Sequence, residues 1–304
     1  MFTIQTAAQT FLTNLSALEE RLDKTNEEVS SGLRVQTVSD DPEDVAEILQ
    51  VNSEISQNDQ VKTNLGQVQT EVNAAEGAIS TATTLMDSAS QIAAEGSSGG
   101  NTNRAELANQ VADILTEMQQ IASTQVAGRY VFSGDSDQTA PYGPVNFTAN
   151  PTNGVGPYLG TNGTRSIVDS YGVGFSVSFT AQQIFDGGSG GTPSNSVFQS
   201  LTELYNALSS NNQAGVMSAA SDVSSAADYL SGMDAQYGDI QNKISDALTG
   251  QATLDTNLQA QLSNLQDADE AQAVTDQQTE TTALNAAETA YAAMPTKSLF
   301  DYLG

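Results

Sequence analysis

Apolar side chains recur at alternating spacings of three and four along much of the first third of the chain. The row runs from Val61 to Ala89 without a proline, and its flanks extend the predicted helix over residues 43–95. Such spacing is typical of a coiled-coil seam. At ~1.5 Å per residue this helix is about 80 Å long, whereas a compact protein of 304 residues is about 50 Å across. The sequence therefore predicts an elongated rod rather than a globule.

The first 30 residues carry the same spacing on a separate predicted helix. Its apolar row consists of Ile4, Ala8, Phe11, Leu15, Leu18, Leu22, Thr25 and Val29. Gly32 can take the left-handed conformation that ends a helix. Asp41 is a good N-cap and Pro42 suits the first helical position of the next helix. A corner between two helices is predicted at residues 32–42.

The middle of the chain has a different composition. Residues 129–193 hold 12 of the 24 Gly, 5 of the 7 Pro and 9 of the 18 Phe and Tyr residues. Residues 171–179 also alternate with period two, which is typical of a strand. A small β-rich module is therefore predicted between helical segments. A second very long helix is expected over residues 233–294, either as one piece or as two.

We therefore expect a mainly α fold, an elongated rod of long coiled-coil helices from both chain ends with an inserted small β-rich module. An N-terminal assembly helix is expected over residues 1–40, and the N-terminal part of a helical rod over residues 41–128. The β-rich outer module follows at residues 129–193. The C-terminal part of the rod is expected over residues 194–255, and a C-terminal assembly helix over residues 256–304.

Composition narrows the possible functions. The formal charge is -28, and the chain has no His, no Cys and no Trp. Imidazole and thiolate chemistry are thus excluded, and a strongly negative chain repels nucleic acid and anionic membranes. We expect no enzyme activity, no cofactor, no metal, and no nucleic acid or membrane partner. No secretory signal is expected either, since the N-terminus lacks a basic cluster and an apolar run.

One enzymatic alternative stays open, a surface hydrolase with its active site in the β-rich module. Such an enzyme needs a pair of carboxylates in a cleft. Residues 129–193 contain four acids, namely Asp135, Asp137, Asp169 and Asp186.

The terminal helix has no visible partner within its own segment. Six to eight apolar side chains on one face are each worth about 1.5 to 3 kcal/mol when fully buried, and a lone helix is marginally stable in water. We expect the two chain ends to partner each other and neighbouring subunits, and to do so only on assembly.

Four segments resemble one protein family. Residues 30–49 (SSGLRVQTVSDDPEDVAEIL) resemble the N-terminal signature of bacterial flagellins and flagellin-like axial proteins, and Asp40 with Asp41 and Pro42 resembles the hook-associated members. Residues 128–142 (GRYVFSGDSDQTAPY), 265–278 (LQDADEAQAVTDQQ) and 287–303 (AETAYAAMPTKSLFDYL) are similar to the hook-associated protein 3 family, the hook-filament junction proteins.

The resemblance implies a structural subunit of the bacterial flagellum, secreted through the flagellar type III pathway and needed for motility. It also implies as partners hook-associated protein 1, flagellin, the filament cap protein, a flagellar export chaperone and further copies of the chain in a ring. Coiled-coil packing of the chain ends would use Ile4, Ala8, Phe11, Leu15, Leu18, Leu22, Leu284, Tyr291, Met294, Leu299, Phe300 and Leu303. A flagellin that polymerises into the filament itself, and a coiled-coil adhesin, are the other structural alternatives.

Overall fold

A computed structural model of the chain describes residues 2–98, 103–168, 172, 174–187 and 195–293, with side chains described from residue 9 onward. Most of these residues are helical. The helices are α1 (Phe2–Ser31), α2 (Pro42–Gly96), α3 (Arg104–Ala122), α4 (Ala181–Phe185), α5 (Val197–Ser209), α6 (Gln213–Gln266) and α7 (Glu270–Ala292). The strands are β1 (Gln125–Val126), β2 (Arg129–Tyr130), β3 (Ser166–Val168) and β4 (Gly174–Ser176).

This confirms the predicted fold class, a mainly α chain of long helices with a small inserted β-rich module. Helix α2 begins at Pro42 and has 55 residues, in agreement with the single helix expected over residues 43–95. None of the helices in the described ranges is long and apolar enough to cross a lipid bilayer.

The chain divides into two compact units. The middle unit is Asp59–Thr253 and the end unit combines Met1–Asn58 with Leu254–Gly304. The hydrophobic core of the middle unit contains apolar side chains from α2, α3, α5, α6 and the module, from Leu65 to Ala247. The predicted row on α2 is part of it, since Ile79, Ala82, Met86 and Ala89 are fully buried. The middle unit therefore completes its own core.

The module consists of two small antiparallel sheets and many turns. β1 pairs with β2, and β3 pairs with β4 through Ser166 opposite Ser176. Phe132, Tyr142 and Phe185 fill its interior and are fully buried. Gly and Pro interrupt this segment, and both are unfavourable within strands, because Pro has no backbone N–H to donate and Gly has no side chain to pack. Among the described residues 172 and 174–179, the strand is Gly174–Ser176.

Three polar contacts attach the module to the long helices of the middle unit. Arg165 forms an ion pair with Glu71 of α2. On α6, the Tyr237 hydroxyl accepts a hydrogen bond from the Phe179 N–H at 3.2 Å, and the Tyr229 hydroxyl donates to the Gln183 carbonyl at 2.6 Å. The module is therefore part of the middle unit and not a separate body.

The long C-terminal helix is two helices. Helix α6 ends at Gln266 and α7 begins at Glu270, with Asp269 as its N-cap. The Asp269 carboxylate accepts hydrogen bonds from the N–H groups of Ala271 at 3.0 Å and Gln272 at 3.1 Å. Capping of this kind stabilises the start of a helix, so the interruption at residues 267–269 is specified locally.

Candidate assembly site

The corner between α1 and α2 is built by a few residues with special backbone roles. Gly32 has φ +73°, and its N–H donates to the Glu28 carbonyl at 2.8 Å, which closes the last turn of α1. The Asp41 carboxylate accepts from the N–H groups of Glu43 at 3.2 Å and Asp44 at 3.3 Å, so Asp41 occupies the cap position of α2. Pro42 is the first residue of that helix.

Asp40 holds the loop that leads into the corner. Its Oδ2 accepts hydrogen bonds from the N–H of Gln36 at 3.1 Å, the N–H of Thr37 at 2.7 Å and the Thr37 hydroxyl at 3.0 Å. The hydrogen bonds from Thr37 and Gln36 hold the pKa of Asp40 below its ordinary value. In the same way, the N–H of Asp44 lowers the pKa of Asp41. Both carboxylates therefore act in their charged form.

Arg34 ties the corner to the end of α6. Its guanidinium donates to Asp44, to Asp41 Oδ2 at 3.3 Å and to the Leu265 carbonyl at 2.7 Å. The hydrogen bond with Asp44 raises the pKa of Arg34. Backbone hydrogen bonds add to this tie, because the Arg34 N–H donates to Gln266 at 2.7 Å and the Ala268 N–H donates to Gly32 at 2.9 Å. The α1–α2 corner and the α6–α7 break therefore lie side by side within the end unit.

Beyond this joint, α1 packs against α7. Gln277 Nε2 donates to Asn26 Oδ1 at 2.6 Å near the joint. Further out, the rings of Phe11 and Tyr291 stack with centroids 5.4 Å apart and an interplanar angle of 15°. Residue numbers fall along α1 as they rise along α7, so the two helices are antiparallel. The two ends of the chain thus supply partners for each other within one chain, so the expectation that they pair with each other only on assembly is wrong.

The apolar faces of this helix pair are only partly covered. Phe11, Leu15, Leu18, Leu22 and Leu284 are half-buried, and Tyr291 is 46% exposed. Leu12 on α1 and Val274 on α7 are also exposed. The core of the middle unit, in contrast, contains many apolar side chains with no exposure. The helix pair therefore retains apolar surface that the described part of the chain does not bury.

Some predicted contact residues lie where the structure describes no side chain, or lie outside the described residues. Ile4 and Ala8 lie in α1, in the stretch without described side chains. Met294, Leu299, Phe300 and Leu303 lie outside the described residues. Their contact roles stay predictions.

Three charged residues of this site, Arg21, Arg34 and Glu280, are not among those that the sequence predicts. The Glu280 side chain is buried between the helices and pairs with Arg21 and Thr25. The signal was present in the spacing, because Ala273, Gln277, Glu280, Leu284, Ala287 and Tyr291 follow one another at alternating intervals of four and three. Glu280 was overlooked because acids in so acidic a chain are expected on solvated faces.

Apart from the helix pair, the structure has a cavity of about 490 Å³ beside the module. It is lined by residues 149–153, 156 and 157 and by Asp186, Ser196 and Gln199. Asp186 is the carboxylate among its lining residues, and it accepts from the Tyr142 hydroxyl at 2.7 Å and from the Ser196 hydroxyl at 3.5 Å. Burial raises the pKa of Asp186. A hydrolytic carboxylate pair is not formed among these lining residues. Asp169 lies outside the described residues.

The N-terminal helices and the corner match a known family. Residues 2–137 match the model for the bacterial flagellin N-terminal helical region, which includes α1, the corner, α2 and α3. These 136 residues, less than half of the chain, are similar to the N-terminal helical region of bacterial flagellins. No curated protein sequence matches the chain.

Three solved structures with a similar fold are flagellar proteins. A Vibrio parahaemolyticus protein assigned as a flagellar hook-associated protein is 19% identical, with a TM-score of 0.65 over 75% of this chain and 100% of that chain. Flagellar hook-associated protein 3 from Legionella pneumophila is 14% identical, with a TM-score of 0.62 over 72% and 98%. The flagellar junction protein FlgL from Legionella pneumophila is 14% identical, with a TM-score of 0.57 over 72% and 99%. At these identities the likeness establishes the fold.

Proposed function

We propose that the chain is a structural subunit of the bacterial flagellum that joins hook to filament through its terminal helices. The observation that carries the proposal is the incompletely buried apolar face of the α1–α7 pair. Six predicted contact residues with described side chains, Phe11, Leu15, Leu18, Leu22, Leu284 and Tyr291, are half-buried or exposed. Covering them with neighbouring helices would contribute a favourable free energy for each side chain that becomes buried.

The family match and the shared fold support a flagellar role in particular. A helical assembly repeats one heterologous contact, so each subunit needs complementary surfaces on opposite sides. Packed side by side, the α1–α7 pairs of several copies would form an inner coiled-coil tube that transmits torque between two mechanically different polymers. The module would then face outward.

The proposed partners follow from this position in the flagellum. Hook-associated protein 1 would lie on the hook side and flagellin on the filament side, and the filament cap protein would meet the ring before the filament grows. A flagellar export chaperone would hold the C-terminal helix during type III export. Secretion of the unfolded chain and self-assembly into a ring are parts of the same proposal.

A deletion strain tests the proposal. Hook-basal-body preparations from that strain should show hooks without filaments, and flagellin should accumulate in the medium. The full chain supplied on a plasmid should restore filaments. Leu18→Asp should fail to restore them, because it places an unpaired charge on a half-buried apolar face. Ser16→Asp, at an exposed position two residues away, is the matched control and should restore them.

Both variants must be secreted in equal amounts for the comparison to report assembly rather than export. Filaments attached to the hooks of the deletion strain would contradict the junction role. Long filaments formed by the purified chain alone would favour the alternative, a flagellin that builds the filament itself.

A further inference from the structure

Glu280 is a buried carboxylate between two helices whose facing rows are mainly apolar. Its residue exposure is 6%, and Thr25 opposite has 7%. Glu280 Oε1 accepts from Arg21 Nε at 3.1 Å and Nη2 at 2.9 Å, while Oε2 accepts from the Thr25 hydroxyl at 2.8 Å. Both carboxylate oxygens are therefore satisfied. Without these partners, burial of the charge would be strongly unfavourable.

The contacts along α1 and α7 define one antiparallel register. Asn26 and Phe11 are 15 residues apart on α1. Their partners Gln277 and Tyr291 are 14 residues apart on α7, in the opposite direction along the chain. Glu280 lies between these two points and reaches both Arg21 and Thr25, which are one helical turn apart. All three contacts thus belong to the same alignment of the helices.

Apolar packing alone does not select this register. If α1 slides along α7 by one heptad, Tyr291 leaves Phe11 and faces Leu18 or Ile4, depending on the direction. Both are apolar, as the repeated spacing of three and four requires. For the apolar side chains alone, a heptad slip therefore exchanges one contact for another at a small difference in free energy. The hydrogen bonds of the joint, from Arg34 to Leu265 and Gln266 and from Ala268 to Gly32, also oppose a slip at the base of the pair.

The same slip removes every partner of Glu280. In one direction the carboxylate moves between Asn14 and Leu18, and in the other it moves between Glu28 and Gly32. Neither position offers a cation, and Glu28 adds a like charge. The buried carboxylate is satisfied in the observed register and in neither of these two.

We infer that Glu280, with Arg21 and Thr25, sets the register of the terminal helix pair. A single polar residue in an apolar seam is known to specify register in coiled coils. The consequence for assembly rests on the proposed function: copies that repeat one contact must present their apolar faces at the same height. A slipped pair would displace one helix by about 10 Å relative to the other, since each residue adds ~1.5 Å.

Cross-linking in the purified full-length chain tests this assignment, and the absence of native Cys makes engineered pairs unambiguous. Asn26→Cys with Gln277→Cys reports the observed register, since these side chains are in contact. Glu19→Cys with Gln277→Cys reports a one-heptad slip, because position 19 is seven residues from position 26. With a short bismaleimide at low protein concentration, the first pair should give at least about tenfold more intramolecular cross-link.

Substitution of Glu280 should then weaken the preference for the first pair. Glu280→Leu removes the carboxylate and keeps an apolar side chain, so the tenfold preference should fall to about threefold, because the joint at the base of the pair still favours the observed register. Glu280→Gln keeps one oxygen that can accept from Arg21 and gains an amide N–H that can donate to the Thr25 hydroxyl, so it should retain most of the preference. Glu288→Leu, an exposed acid on the same helix, is the matched control and should leave the preference unchanged.

Arg21→Gln provides a second variant in case Glu280→Leu disturbs folding. The Arg21 side chain is 70% exposed, so the substitution removes the cation without opening a cavity, and the preference should again fall.

Any of three results would overturn the inference. In the parent chain these are equal cross-linking of both pairs or cross-linking of neither pair, and in Glu280→Leu it is an unchanged preference. These readouts do not involve hooks or filaments. If the deletion strain keeps its filaments while the cross-linking results hold, the junction role fails and the register assignment stands.

Discussion

At the scale of single residues, the end unit depends on side chains and backbone angles that act locally. Gly32 provides the left-handed conformation that ends α1, Asp40 fixes the loop and Asp41 caps α2. Their charged and backbone groups bond to neighbours within a few positions in the chain, apart from the ties through Arg34 to α6. The corner is therefore specified chiefly by its own short sequence.

The first prediction concerns Gly32. An added Cβ would meet no atom within 4 Å, so the cost of Gly32→Ala is that of a left-handed backbone, about 1 to 2 kcal/mol. Gly66→Ala, inside α2 and equally free of nearby atoms, should instead stabilise by about 0.5 to 1 kcal/mol. Thermal unfolding followed by circular dichroism should show a lowered midpoint for the first variant and a raised one for the second. Equal shifts in the two variants would contradict this assignment.

Asp41 and Glu280 differ in whether the sequence alone predicts their structural role. Asp41 was predictable because a cap is defined by the next three residues of the same helix. Glu280 was not, because its role arises from Arg21 and Thr25, more than 250 positions away in the chain. Spacing places Glu280 on the inner face, but its partners become known only when the antiparallel register is known.

At the scale of elements, the periodicity of apolar residues predicts the long helices but not the strands. The rows on α1 and α2 are long enough for their three-and-four spacing to be unmistakable. The sequence does not decide between one helix and two over residues 233–294, because a cap by Asp269 is a weak signal within an otherwise helical sequence. In the module, strands of two or three residues are too short for alternation to define their ends.

Asp186 connects α4 of the module with α5 of the same middle unit, and this connection predicts a pH dependence. It follows α4 directly, and it accepts hydrogen bonds from Tyr142 and from Ser196, the N-cap of α5. Burial raises its pKa in the folded state, so the folded chain binds the proton more tightly than the unfolded chain. The contribution of this group to stability is therefore greatest below about pH 4 and is lost as the pH rises through the folded pKa.

Asp186→Asn should remove that dependence. Relative to the variant, the parent should lose free energy of unfolding as the pH rises above about 4, because the buried carboxylate then gives up its proton. Urea unfolding at several pH values measures the difference. Asp228→Asn, at an exposed position on α6, controls for the loss of one negative charge. A parent-minus-variant difference that rises with pH would reverse the sign and contradict the prediction.

At the scale of the whole molecule, the two units differ in how fully they bury their apolar side chains. The core of the middle unit runs from Leu65 to Ala247 and includes no residue of α1 or α7. The end unit has few buried apolar residues among those described, such as Val35, Ile48 and Val51. Composition does not predict this division, because Gly, Pro and aromatic residues concentrate in residues 129–193, inside the middle unit. The unit boundaries near residues 58 and 253 have no mark in the sequence.

Removal of residues 1–30 should therefore leave the middle unit folded. The truncated chain loses α1, and α7 loses its partner, so helix content should fall by at most the contribution of these two helices. Circular dichroism and limited proteolysis of the purified protein measure this, and a larger loss of helix would show that the core depends on the terminal helix. If the proposed function is correct, the truncated chain should also fail to bind isolated hooks that the full chain binds. A chain with Glu288→Leu alone should bind them normally, because it keeps both helices and the Arg21–Glu280 contact.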